Sequence, residues 1–192
     1  ELILISLVAI ALVMNYFKLP SNGVLSVLSI IGLAVYYYPL FPLIATGKSL
    51  KTLFSGAKFK GDLFYAFLTG IAVSTTLVGI LFKIQLWPMG ILLLTFGLFS
   101  VLVLMAVNAI RFKKTSEDFF KGLLIRCTVA FFVGSVVFMI PNDALLEHHF
   151  GDNPEYIEAL KNWGANPRDP EAMERLEEAR IKMYETENRA NE

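Results

Sequence analysis

The first three quarters of this 192-residue sequence contain almost no acid, and the whole sequence contains a single cysteine. One cysteine excludes an internal disulfide. Cys127 lies in an apolar stretch, so we expect it to be a small buried side chain. Of the 17 acidic residues, 13 lie from Asp143 onward. The balance of 17 basic and 17 acidic residues therefore combines a basic first part with an acidic tail, and indicates nothing about partners.

The sequence also lacks the motifs that carry chemistry. It has no glycine-rich phosphate loop, no nucleophile elbow and no cluster of cysteine and histidine, so we expect neither an enzyme nor a cofactor. The basic loops are explained by membrane topology and do not predict nucleic-acid binding. No carboxylate lies within the predicted spans, which weighs against a proton- or sodium-driven pump or stator, though not against a passive pore.

Long apolar stretches are the dominant feature. Apolar residues make up 55% of the chain and charged residues 18%, against about 25% charged in soluble domains. A membrane-spanning helix needs about 20 apolar residues. The sequence therefore predicts an all-α polytopic membrane protein with five transmembrane helices in residues 1–141, and a short external helical hairpin in the acidic tail, 142–192. The predicted spans are Leu2–Phe17, Val24–Thr46, Leu63–Ile84, Met89–Ile110 and Leu123–Ile140.

The first two spans are irregular. The chain begins at Glu1 rather than Met, so we expect residues before it. Leu2–Phe17 has no small-residue cleavage site before the turn at Lys18–Gly23, which favours a transmembrane helix over a signal peptide. Pro39 and Pro42 predict a kink in the second span beside three tyrosines that suit a headgroup belt.

Positive charge in the loops predicts the orientation. Residues 47–62 carry four lysines and residues 111–122 carry four lysines or arginines, whereas residues 85–88 carry none and residues 18–23 one. Because basic loops stay in the cytoplasm, we expect a cytoplasmic N-terminus and a tail on the opposite side of the membrane.

Small residues recur on the hairpin formed by the third and fourth spans. Patterns of this kind let membrane helices approach closely, within the chain or between membrane protein subunits or copies of a homo-oligomer. The predicted contact positions are Gly70, Ser74, Thr75, Gly79, Gly90 and Gly97.

The tail carries two helix-start signals. Asp152-Asn153-Pro154-Glu155 and Asp169-Pro170-Glu171 each combine a capping residue, a proline and an acid. They predict helices ending near Asn162 and Thr186. Two short helices are too small to form a core alone, so we expect them to dock on the membrane domain, on a partner or on a second copy of themselves. His148 and His149, with Asp152, form a weak candidate metal site, because adjacent histidines do not share a helix face.

Lys83 is the most suggestive single residue, because ionisable side chains inside a bilayer commonly mark functional sites. It lies about one turn from the external end of its span, close to Trp87, so it can also anchor the helix by reaching the headgroups. These two interpretations remain open at this point.

The hairpin Gly79-Ile80-Leu81-Phe82-Lys83-Ile84-Gln85-Leu86-Trp87-Pro88-Met89-Gly90 resembles the gliding-motility and type 9 secretion motor L-subunit family (GldL/PorL). The resemblance covers about Gly70–Ile110 and implies a periplasmic turn, with Lys83 as the family's motor lysine. That lysine works with a glutamate in the next helix. The corresponding stretch here, Gly97–Leu102, has no acid, and the family's long cytoplasmic tail is missing. The resemblance therefore implies a shared hairpin in a related setting, the bacterial inner membrane with a periplasmic tail, rather than shared motor activity.

These observations lead to three functional hypotheses. The first is a non-enzymatic accessory subunit of a larger bacterial inner-membrane complex, its tail contacting a periplasmic partner. The second is an ion-conducting or motor-type component built on the Lys83 hairpin. The third is a small-solute transporter or membrane-embedded enzyme, which the scarcity of charge within the spans disfavours.

Overall fold

The computed structural model describes residues 2–16, 22–46, 61–115 and 118–190, and every regular element in these ranges is a helix. The predicted turn at 18–23 and the basic loop at 47–60 lie wholly or largely outside the described residues. The helices are α1 (Leu2–Tyr16), α2 (Asn22–Val35), a π-helical segment (Tyr36–Leu40), α3 (Phe41–Thr46), α4 (Asp62–Ile84), α5 (Gly90–Thr115), α6 (Asp118–Met139), α7 (Asn142–Phe150), α8 (Pro154–Ala165) and α9 (Pro170–Ala190).

Four helical stretches are long and apolar enough to cross a membrane, which indicates an integral membrane protein. They are Gly23–Thr46, Asp62–Ile84, Gly90–Lys113 and Asp118–Met139. The remaining apolar helix, α1, has 15 described residues, fewer than the roughly 20 that a span requires. A fifth span therefore stays a prediction. α1 packs against α2, where the Ser26 hydroxyl donates a hydrogen bond to the Ala11 carbonyl (3.4 Å).

The proline-containing second span changes its helical register in the middle. Between α2 and α3 the chain forms the π-helical segment, in which the Phe41 N–H donates to the Tyr36 carbonyl five residues earlier. Proline has no N–H to donate to the usual carbonyl four residues before it, and a local π turn is one way in which membrane helices re-satisfy freed carbonyls. The two prolines that predicted a kink thus accompany a widened turn.

Residues 1–139 form one compact unit with α4 at its centre. α4 packs against α2, the π-helical segment, α3, α5 and α6. Its own sequence explains this position, because residues with small side chains recur along it and let neighbouring helices approach. The buried core around it includes Leu33, Phe41, Ala66, Val73, Val101, Leu123 and Cys127. The prediction that Cys127 is buried is confirmed.

Residues 140–192 form a second compact unit, which begins two residues before the predicted boundary. It contains α7, which the sequence interpretation missed, and the two predicted helices, α8 and α9, which pack against each other. The first predicted start is the start of α8, but its N-cap residue, Asn153, makes no capping hydrogen bond with its side chain. At the second start the Asp169 carboxylate accepts the N–H of Glu171 (3.1 Å), as the start signal predicted.

Candidate functional site at the Lys83 hairpin

The turn between α4 and α5 begins with a helix end that is usually built on glycine. Leu86 donates its backbone N–H to the Lys83 carbonyl (3.1 Å), and Trp87 donates to the Phe82 carbonyl (2.8 Å). This pair of bonds is the Schellman motif. Leu86 adopts φ 55°, a left-handed conformation that costs about 1–2 kcal/mol for a residue with a Cβ. The Trp87 ring packs on Phe82, with centroids 5.0 Å apart, so Trp87 helps to close this turn.

Two of the predicted glycines lie where the backbones of α4 and α5 approach closely. A Cβ atom on Gly79 would lie 2.6 Å from Leu94 Cα, and one on Gly97 would lie 2.7 Å from Thr76 Cα. Carbon atoms that are not bonded to each other attract best at about 3.5–4.0 Å. Any side chain at these positions would therefore push the two helices apart.

The other predicted glycines also lie against backbone of the same unit. A Cβ atom on Gly90 would lie 2.8 Å from Lys83 N, and one on Gly70 would meet the Tyr37 carbonyl oxygen. All four glycines therefore serve helix packing within the chain. The two remaining predicted positions, Ser74 and Thr75, are half-buried.

Lys83 directs its ammonium at the end of a neighbouring helix. Its side chain is 5% exposed, and Nζ donates a hydrogen bond to the Phe138 carbonyl (2.6 Å) and lies 5.2 Å from the centre of the Phe138 ring. α6 ends at Met139, so this carbonyl is one of the four at its C-terminus that have no partner in their own helix. Lys83 thus places a positive charge at the negative end of α6.

This contact gives Lys83 a structural role that the local sequence does not reveal. No carboxylate among the described residues pairs with the ammonium, and Gly97–Leu102, where the motor family would carry its glutamate, lies in α5 without an acid. Close by, Gln85 Nε2 is buried without a hydrogen-bond partner in the described part of the chain. At this end of the hairpin, the described residues therefore place the Lys83 ammonium against a backbone carbonyl and not beside a carboxylate.

A second buried polar group lies toward the other end of the bundle. Asn108 is fully buried, and its Nδ2 lies 3.3 Å from Thr69 Oγ1 and 3.8 Å from Cys127 Sγ. These three residues join α5, α4 and α6. Oδ1 of Asn108 has no hydrogen-bond partner among the described residues. The sequence gives no signal for this cluster, because the partners of Asn108 are 39 and 19 residues away along the chain.

The candidate metal residues of the tail do not converge. The rings of His148 and His149 have centroids 5.6 Å apart and lie nearly perpendicular to each other. Nδ1 of His149 lies 2.9 Å from the Leu145 carbonyl, which engages one of its two ligand atoms. Within the described ranges, no group of three or more histidine, cysteine or acidic side chains is placed to hold a metal ion.

Comparisons with protein-family models, with curated proteins and with solved structures find no match to this chain. The similarity of the hairpin to the GldL/PorL family therefore rests on its sequence pattern.

Proposed function

We propose that this protein is a non-enzymatic subunit of a larger membrane complex and that its C-terminal tail contacts a partner. The observation that carries this proposal is the apolar surface of α9. Met173, Ile181 and Tyr184 are 61%, 54% and 49% exposed. Scattered exposed apolar residues are ordinary on a protein surface, but here they lie on the last helix of a unit of only 53 residues.

The tail buries few apolar side chains of its own. In its described part the buried apolar side chains are Leu145, Leu146, Ala172 and Met183, and α8 has no buried residue. Its ion pairs are exposed: Lys182 lies 3.4 Å from Glu155 and Lys161 lies 3.0 Å from Asp143. Exposed pairs contribute about 0–1 kcal/mol each. A surface that completes this small core is what a partner would supply.

We place the protein in a bacterial inner membrane, with the tail on the periplasmic side. The resemblance of the hairpin to the GldL/PorL family supports the bacterial setting. The charge of the loops supports the orientation, because nine cations and three acids lie in residues 47–62 and 111–126. The side of the membrane on which the tail lies does not depend on whether α1 spans the membrane. With the basic loops in the cytoplasm, the three helices that follow residue 60 lead to the periplasm whether α1 spans the membrane or not.

Co-purification tests the proposal. The tagged protein is extracted from its native membrane in a gentle detergent, and co-purifying chains are identified by mass spectrometry. We expect one complex in fixed stoichiometry. Replacing Met173 and Ile181 together with serine should release the partner, whereas Glu174→Ser, an exposed neighbour on the same helix, should not. A protein that purifies alone as a monodisperse monomer or homo-oligomer would contradict the proposal.

A motor-type or ion-conducting component is the second candidate, and the burial of Lys83 in an apolar hairpin favours it. It requires that Lys83 act on an ion or a proton as well as on α6. The Lys83 variants considered in the Discussion separate the two roles.

A further inference from the structure

Helix α9 has two apolar faces, and the described part of the chain covers only one of them. Ala172 and Met183 are buried, whereas Met173, Ile181 and Tyr184 are about half exposed or more. Because an α-helix has 3.6 residues per turn, Met173 and Tyr184 lie on the same side of α9, turned away from the buried pair, with Ile181 beside them. We call these three exposed residues the outer face of α9.

The outer face can be covered by another helix but not by an added strand. From Pro170 to Ala190 the backbone is one helix, so its N–H and C=O groups bond to one another within that helix. Every regular element in the described part of the tail is a helix, and a partner strand therefore finds no sheet edge here. An amphipathic helix that lays its apolar stripe along the surface is the recognition mode that fits such a face.

The tail also carries more acid than base. Residues 140–186 contain eleven acidic and five basic side chains, a net charge of −6 with the histidines neutral. Four of the five cations already lie within 4.0 Å of a carboxylate of the same unit: Lys161 of Asp143, Arg175 of Glu171, Arg180 of Glu177 and Lys182 of Glu155. In the described part of the chain, Glu147, Glu158 and Glu178 take part in no ion pair. The surplus charge of the tail is therefore negative and uncompensated.

This charge favours one kind of covering over the others. A second copy of the tail would bring the same negative charge, and so would a surface of anionic lipids, and like charges brought together weaken binding. We propose, building on the function proposed above, that the outer face of α9 binds a basic amphipathic helix of the partner protein. The apolar stripe of that helix covers Met173, Ile181 and Tyr184, and its lysines or arginines lie near the unpaired carboxylates of the tail.

Photo-cross-linking tests the composition of the partner's segment. A photoreactive phenylalanine derivative replaces Ile181 in the full-length chain, and native membranes are isolated and irradiated. The product is digested with a protease that does not cleave at lysine or arginine, and the partner's peptide is sequenced by mass spectrometry. We expect a segment in which apolar residues recur every three or four positions, with lysine or arginine beside them.

The salt dependence of the same product tests the attraction between charges. Raising the NaCl concentration from about 0.1 M to about 1 M shortens the Debye length from about 10 Å to about 3 Å. We expect the yield of the cross-link to fall by roughly fivefold, which corresponds to about 1 kcal/mol of lost attraction. Screening would leave a purely apolar contact in place.

Two opposite changes of charge provide matched variants. Glu158→Gln combined with Glu178→Gln removes two unpaired acids from exposed positions of α8 and α9 and should lower the yield at 0.1 M NaCl. Arg168→Gln, also at an exposed position, removes the one base of residues 140–186 that has no ion pair in the described chain. It makes the tail more acidic and should not lower the yield, whereas general loss of folding would lower the yield in both variants.

The outcomes distinguish the basic helix from the existence of a partner. A heteromeric product whose partner segment lacks lysine and arginine would overturn the basic helix but not the partner. A yield that salt and the two glutamate substitutions leave unchanged would do the same. A product that joins two copies of this chain, a lipid adduct alone, or no product at all would contradict the partner, and the basic helix with it.

Discussion

Replacing Lys83 with methionine tests the role that the structure gives to the hairpin. The substitution keeps the length of the side chain but removes the ammonium that donates to the Phe138 carbonyl and lies over the Phe138 ring. A hydrogen bond to a charged group contributes about 1.5–3 kcal/mol, and a desolvated cation–π contact up to about 2 kcal/mol. Methionine regains part of this, because an apolar side chain is cheaper to bury. We expect a net loss of about 2 kcal/mol, roughly 30-fold in the ratio of folded to unfolded protein.

The single cysteine provides the assay. Cys127 is fully buried between α4, α5 and α6, so a thiol-reactive fluorogenic probe labels it only when these helices separate. Heating the detergent-solubilised protein with the probe gives a labelling midpoint for each variant. We expect Lys83→Met to lower this midpoint, whereas Lys83→Arg, which keeps a charged donor, should lower it less. Lys121→Met makes the same change at an exposed position of α6 and should leave it unchanged.

Two results would refute the reasoning, and one of them bears on function. If Lys83→Met labels at the same temperature as the wild type, Lys83 does not hold the end of α6. If Lys83→Met is as stable as the wild type but abolishes growth, motility or secretion, the result would support the motor-type function and contradict the structural role of Lys83. Lower stability with unchanged cellular activity would exclude the motor-type candidate and agree with the structural role.

Three further predictions follow from the packing, the tail and the topology. Gly97→Ala should destabilise the protein by about 1–3 kcal/mol in the same thiol assay, as overpacking does, because its Cβ would lie 2.7 Å from Thr76 Cα. The control is Gly23→Ala, whose added Cβ would meet nothing within 4 Å. It should be neutral or slightly stabilising. Glu155→Gln removes the exposed Lys182 partner and should change the stability of the tail by less than about 1 kcal/mol, so a large loss in a circular-dichroism melt would contradict the structure of this unit. In a Cys127→Ala background, a membrane-impermeant maleimide applied to intact cells with a permeabilised outer membrane should label Glu178→Cys but not Lys113→Cys; the reverse would invert the proposed topology.

The extent of the apolar helices was predictable because it depends on composition alone. A helix that crosses a bilayer needs an uninterrupted apolar length, and the structure places helices over all five predicted stretches, with bounds that differ by a few residues. Helix α6, for example, begins at Asp118 rather than Leu123. Asp118 and Lys121 interrupt the apolar stretch at this point but do not interrupt the helix.

The contacts that give these helices their roles were not predictable. Lys83 meets a carbonyl 55 residues away, and Asn108 meets Thr69 across the bundle. Neither pairing leaves a periodic signal, because it depends on how α4, α5 and α6 pack. Helix α7 was missed for a different reason. Its two buried residues, Leu145 and Leu146, are adjacent, so it lacks the three-to-four-residue spacing by which an amphipathic helix is recognised.

Site-specific photo-cross-linking from the tail tests the central claim most directly, namely that the protein is a membrane subunit whose tail contacts a partner. A photoreactive phenylalanine derivative is placed at Ile181, which is exposed on α9, and for comparison at Glu174 on the same helix. After irradiation of intact membranes, the account predicts one discrete heteromeric product from Ile181 and little from Glu174. No product, or equal products from the two positions, would contradict it.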